Sequence, residues 1–242
     1  MRARALLLLA LAAAACSSGP APAPTLTPRP GGPAMVYAAL GASETAGVGT
    51  RNTTRESFPQ RLFQHLGPGS VLYNFGLPGE TVAAALRDEV PPAIAVHPTL
   101  ATVWFNVDDL AAGLAVEDYE SRLDEVVGRL RRAGVTRVLV ANTPHLDRLP
   151  AYSACRPDPP ANAPRCPLNG VTLPPTDQVN ALVEAYNGAI ARVVARQGAT
   201  LVDLHAAGQV PDLHPEYVSE DGFHPSAAGA AAIAATFAAA LG

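Results

Sequence analysis

The chain has 242 residues, which fits one domain of ordinary size with extensions. Hydrophobic residues make up 48%, enough for a real core, and 16% charged is low for a surface-rich protein. The formal net charge is −4, so no basic footprint for a nucleic acid is expected.

Arg2 and Arg4 open the chain, and an apolar run follows over 5–15. That run is too short to span a bilayer, which needs about 20 residues, and it reads as an export signal. It ends in Ala13-Ala14-Ala15-Cys16-Ser17-Ser18. Small residues before a cysteine resemble the bacterial lipoprotein signal, in which the cysteine is lipidated and becomes the new N-terminus. Ala13 stands where that signal usually has leucine, so cleavage without lipid is the alternative. Residues 19–33 are rich in proline, glycine and alanine and cannot bury enough surface to fold. The division expected is a signal over 1–16 with lipid on Cys16, a linker over 17–34 and a domain over 35–242. Such a chain is exported and held at a membrane by its lipid, on the periplasmic or extracellular side.

Within the domain, short apolar runs at 36–40, 71–75, 101–105, 135–141 and 200–204 read as strands. Apolar residues throughout a strand suit burial on both faces. Helical stripes lie between them. Phe58, Leu62, Phe63 and Leu66 form one; Tyr119, Leu123, Val126, Val127 and Leu130 form another, with Gly134 as its stop. Val179, Leu182, Val183, Tyr186, Ile190 and Val193 form a third, and an alanine-rich helix covers 227–241. Strand–helix alternation predicts a parallel sheet with helices on both faces, an α/β/α sandwich. In such sheets functional groups gather at the carboxyl ends of the strands. Ser43, Gly76 to Gly79, Asn106 to Asp109, Asn142-Thr143, and Asp221 with His224 all follow strands in this order.

Cys155 and Cys166 flank a stretch with no helical or strand pattern. A disulfide between them would pin that insertion and would persist in an oxidising compartment. The alternative is two free thiols. No second cysteine pair or nearby histidine completes a metal site. The whole segment from His145 to Asp177 reads as a long loop at the active-site edge, either a wall or lid over a pocket or a decorative insertion.

The sharpest chemistry lies at the two ends of the domain. Gly41-Ala42-Ser43-Glu44-Thr45-Ala46-Gly47 follows the first strand, and Asp221-Gly222-Phe223-His224-Pro225 precedes the last helix. A serine, a histidine and an aspartate supply a nucleophile, a base and a group that orients the base. Together with Asn74-Phe75-Gly76-Leu77-Pro78-Gly79-Glu80-Thr81 and Val103-Trp104-Phe105-Asn106-Val107-Asp108-Asp109-Leu110, these blocks resemble, in matching order, the SGNH hydrolases, also called GDSL esterases and lipases. The resemblance covers about residues 36–241. It implies a flavodoxin-like three-layer sandwich, and it implies catalysis by Ser43, His224 and Asp221. It also implies an oxyanion hole built on the backbone N–H groups of Ser43 and Gly79 plus a donor from the third block.

The third block departs from the family. Asn106 replaces the usual glycine, and Asp108 replaces the asparagine that donates to the oxyanion. An ionised carboxylate cannot donate, and losing one such donor typically costs about 10²–10³ in rate. Three readings are open: the Asn106 amide takes the role, Asp108 is protonated by burial and by neighbouring Asp109, or the site is impaired. Ala42 also stands where the family often has aspartate. Asp109 reads as structural, and His145, His205 and His214 have no partner pattern. Asp212, His214 and Glu216 lack the fixed geometry of a metal site.

The function expected is an extracytoplasmic ester hydrolase without cofactor or metal, working as a monomer. Acetylated glycans, lysophospholipids or small esters are its candidate substrates. The alternative is a catalytically impaired binding protein on the same fold. A dinucleotide-binding domain is disfavoured because no Gly-x-Gly-x-x-Gly follows the first strand.

Overall fold

The computed structural model describes residues 34–163, 165–166, 173–207 and 213–242. The signal, the linker and Cys16 lie outside the described residues. In chain order the elements are β1 (Val36–Gly41), α1 (Ser43–Ala46), α2 (Thr53–Glu56), α3 (Phe58–Phe63), β2 (Val71–Asn74), α4 (Val82–Asp88), α5 (Val90–Ala95) and β3 (Leu100–Trp104). There follow α6 (Val107–Ala111), α7 (Val116–Arg131), β4 (Arg137–Ala141), α8 (Pro150–Cys155), α9 (Thr176–Gln197), β5 (Thr200–Val202) and α10 (Ala227–Leu241).

The five strands form one parallel sheet in the order β2-β1-β3-β4-β5. Successive side chains on a strand point to opposite faces, and the apolar strands use this to feed two cores. Ala38 and Leu40 of β1, with Ala101 and Val103 of β3, pack with Val82, Leu123, Val127 and Ile190 from α4, α7 and α9. Tyr37 and Ala39, with Leu100 and Trp104, pack on the other side with Phe58, Leu62 and Phe237 from α3 and α10. Helices therefore cover both faces, as the alternation of elements predicted. Phe58 binds this second layer by stacking on Phe237 at 4.8 Å and meeting Trp104 edge-on at 5.7 Å.

Three details differ from the sequence reading. First, β2 is an edge strand. Val71 and Tyr73 remain 43% and 42% exposed, so its apolar run is not covered on both faces. Second, β4 begins at Arg137, not at 135. A 3-10 turn over Arg132–Gly134 delays the strand and leaves Val135 exposed. Third, the segment from 145 to 177 is not structureless. It holds a short 3-10 turn, Leu146–Arg148, and then α8, which starts with Pro150 at its first position. Leu146 and Tyr152 bury themselves there against Val179 and Val183 of α9, a small separate core.

Cys155, the last residue of α8, forms a disulfide with Cys166 across 11 positions of sequence. Closing a loop of that size restricts the unfolded chain by roughly 2–3 kcal/mol. A Cys155→Ser/Cys166→Ser variant is expected to lose about that much stability in urea unfolding. A midpoint equal to that of the parent would show that the bridge contributes nothing.

Candidate active site

The strand ends place the motif residues together at the carboxyl edge of the sheet. β1 ends at Gly41, and Ser43 is the first residue of α1. This tight strand-to-helix turn is clamped from below. The Gly41 N–H donates to Glu89 Oε2 at 2.9 Å, and the Leu77 N–H donates to Gly41 O at 3.0 Å. From the β2 side, Asn74 Nδ2 donates to Thr45 O at 2.8 Å. Gly76 then lies so close to α1 that a β-carbon on it would stand 2.7 Å from Thr45 Cγ2 and 2.8 Å from the Ala46 nitrogen. Ser43 itself is only 7% exposed.

The base comes from the loop before α10. His224 Nδ1 and Asp221 Oδ2 are 2.6 Å apart. The other carboxylate oxygen of Asp221 accepts from Ser219 Oγ, the Phe223 N–H and the His224 N–H at 2.8–2.9 Å. Burial opposes the charge on Asp221. The hydrogen bonds from the His224 ring, the Phe223 N–H, the Ser219 hydroxyl and the His224 N–H together outweigh it, and the pKa falls to about 2. This loop is itself fastened. The Ser219 N–H donates to His224 O, Val218 bridges to Pro225, and Ser226 caps α10 while its hydroxyl donates to Glu216 O. The Ala151 N–H of α8 donates to Gly222 O at 2.9 Å. The inserted segment thus buttresses the loop that holds the base.

Gly49, just past α1, brings the two halves of the site into contact. It has a positive φ of 91°, and a β-carbon there would stand 2.7 Å from His224 Cβ and 2.6 Å from Pro225 O. Gly79 is different: φ is also positive, at 79°, but open space surrounds the missing side chain.

The third block sits at the end of β3. Asn106 precedes α6 and is only 2% exposed, and its amide nitrogen has no hydrogen-bond partner among the described residues. Asp108 is partly buried, and burial raises its pKa against the pull of His224. Asp109 is structural, as its place in the sequence suggested. Its carboxylate accepts the Val82 N–H at the start of α4 at 3.0 and 3.1 Å. Burial pushes it up to about 7 despite that bond, and Asp108 adds to the rise. Asn142 and Thr143 tie strand ends together. Asn142 Nδ2 donates to Asp203 and its Oδ1 accepts the His205 N–H, while the Thr143 N–H donates to Asn187 Oδ1.

Glu44 joins the site although no motif in the sequence marks it. The Ser43 hydroxyl donates to Glu44 Oε2 at 3.2 Å. Burial raises the Glu44 pKa, its own backbone N–H and His224 act against the rise, and Asp108 adds to it. Beside these groups lies a cavity of about 90 Å³, walled among others by Trp104, Leu146, Leu149, Phe223 and Ile233. That is room for several water-sized groups. Leu146 and Leu149 belong to the segment expected to wall a pocket, and they do so. The histidines without a sequence partner have structural ones: His145 meets the tilted ring of His205 at 3.8 Å, and His214 stacks on Tyr217 at 4.5 Å and bonds Glu216. Asp212 lies outside the described residues.

Two outcomes check this geometry. Glu89 is fully buried, and burial pushes its pKa up to about 9 despite the Gly41 N–H. A group whose folded pKa is raised stabilises most below its unfolded value and loses that contribution as pH rises toward the folded one. The melting temperature should therefore fall between about pH 5 and pH 9. Glu89→Gln, which keeps an acceptor for Gly41, should flatten that fall; an unchanged pH slope would refute it. Gly49→Ala should cut turnover at least tenfold while near-native folding by circular dichroism persists, because the His224 loop must shift.

The sequence profile of the GDSL-like lipase/acylhydrolase family matches residues 39–232. No curated protein matches the chain. Several solved structures share its fold at low identity. LAE5, an α/β hydrolase enzyme from the metagenome of Lake Arreo, Spain, is 21% identical with a TM-score of 0.62, over 86% of this chain and 95% of its own. The psychrotrophic esterase EstA from Pseudoalteromonas, solved inhibited by monoethylphosphonate, is 15% identical with a TM-score of 0.59, over 85% and 96%. A variant of Axe2, an acetyl-xylooligosaccharide esterase from Geobacillus, is 16% identical with a TM-score of 0.60, over 87% and 95%. The profile match, the three-layer sheet and the serine and histidine loops at its carboxyl edge agree: the chain belongs to the GDSL-like lipase/acylhydrolase family and is a carboxylic ester hydrolase of the SGNH type.

Proposed function

We propose that the protein hydrolyses short-chain esters outside the cytoplasm, through an acyl-enzyme on Ser43. The observation that carries this reading is the 2.6 Å contact of His224 Nδ1 with Asp221, on a loop packed against the Ser43 turn at Gly49. Asp221 holds the imidazole so that Nε2 is the free nitrogen. On substrate arrival the Ser43 hydroxyl exchanges Glu44 for that nitrogen. Oγ attacks the ester carbonyl carbon while His224 takes its proton. The oxyanion forms against the backbone N–H groups of Ser43 and Gly79, and the unpartnered Asn106 amide is the third donor. His224 returns the proton to the leaving alcohol. Water, deprotonated in turn by His224, then releases the acid from Ser43.

The cavity of about 90 Å³ favours short acyl groups, whether the ester is an acetylated glycan, a lysophospholipid or a small soluble ester. Export with a lipid on Cys16 is supported by the sequence over 1–16, and the Cys155–Cys166 disulfide suits an oxidising compartment. The domain then works at a membrane surface, as a monomer.

Hydrolysis of p-nitrophenyl acetate, butyrate and octanoate by the chain from Met35 tests this. Turnover should fall with chain length and vanish in Ser43→Ala; equal turnover in that variant would refute the serine mechanism. Asp108→Asn removes a carboxylate beside His224 and should raise kcat by roughly tenfold. A fall in kcat would show that Asp108 itself is required.

A further inference from the structure

Glu44 is released by the Ser43 hydroxyl when substrate arrives and plays no later part in the steps above, yet in the free protein its carboxylate accepts that hydroxyl at 3.2 Å and forms part of the cavity wall. A carboxylate in mostly apolar surroundings calls for a cation or a strong donor. The same wall holds Trp104, almost wholly buried, whose indole N–H has no partner among the described residues. The cavity is therefore not a plain hydrocarbon slot. It presents an acidic acceptor in contact with the nucleophile.

The charge around the reaction is also unbalanced. Glu44 and Asp108 both act on His224, and burial raises the pKa of each. An oxyanion developing on the Ser43 adduct meets these two carboxyls. A positive charge carried by the substrate would offset them in the transition state. Glu44 Oε2 lies within hydrogen-bond distance of Ser43 Oγ, the atom that bonds the acyl carbon, so a cation held two bonds from the carbonyl carbon comes within its reach.

We propose that Glu44 is a specificity-determining residue that selects acyl groups bearing an ammonium on the α-carbon, so that the preferred substrates are esters of amino acids with small apolar side chains. The side chain occupies the cavity between Leu146, Leu149 and Ile233, and the ammonium takes the place of the Ser43 hydroxyl on Glu44. The reaction is unchanged: ester and water give the free amino acid and the alcohol. This inference rests on Ser43 being the nucleophile.

The test compares L-leucine methyl ester with methyl 4-methylpentanoate, the same acyl chain without the amine, near pH 7. An α-amino group with a pKa of about 7.7–8.0 is mostly charged there. The wild-type protein should favour the amino ester by about tenfold or more in kcat/KM, the scale of a charge-assisted hydrogen bond. Glu44→Gln and Glu44→Ala should each bring that ratio close to one. A wild-type ratio near one, or a preference that survives in both variants, would overturn the proposal. If p-nitrophenyl acetate is hydrolysed by the wild type and not by Ser43→Ala while neither methyl ester is touched, the role of Glu44 alone fails. If p-nitrophenyl acetate is also untouched, the reading of Ser43 fails and this inference with it.

Discussion

The turn that carries Ser43 is wedged between neighbours with no space for a β-carbon at its contacts. Gly76 presses on Thr45 and Ala46 from the β2 side, and Gly49 presses on His224 and Pro225 from the other. Backbones in such contact fix one another, because a packed interior yields little to displacement. The alignment of nucleophile and base therefore depends on the sheet and its loops, not on the length of flexible side chains. Glu89 completes the clamp from beneath by accepting the Gly41 N–H. Catalytic groups need to be held to within about an ångström, and this is how a chain with a serine and a histidine some 180 residues apart achieves it.

The electrostatics of the site run in two directions. Asp221 is held ionised by its hydrogen bonds and orients the His224 ring. Burial raises the pKa of Glu44 and of Asp108, and a negative charge on either opposes an oxyanion. The family usually places a neutral donor at the Asp108 position, so here the balance has moved. The unpartnered Asn106 amide two positions earlier supplies a donor in the same block. Substrate charge is the remaining means of restoring balance, which links the departure in the third block to the contact made by Glu44.

The strands β1, β3 and β4 were legible because helices cover both their faces and their sequences are predominantly apolar. Ser43, Asp221 and His224 were legible because the residue types and their order carry the chemistry. Other features were not. α4 and α5 escaped the reading because Glu89, Pro91 and Pro92 interrupt the apolar stripe, although Glu89 is buried and serves the Ser43 turn. α8 was hidden in a proline-rich stretch, where Pro150 opens the helix instead of breaking it. The exposure of β2 is a property of its place at the edge of the sheet, and no residue pattern reports that. No residue pattern marks Glu44 as part of the site. Only the fold shows that it faces a cavity and the nucleophile, and only the fold shows that Gly49 touches His224.

The most direct test of the account is covalent labelling of the chain with a fluorophosphonate, followed by peptide mass spectrometry. The account predicts a single adduct on the peptide containing Ser43, formed slowly or not at all in His224→Ala. An adduct on another residue, or labelling of Ser43 at the same rate without His224, would contradict the proposed pairing of nucleophile and base.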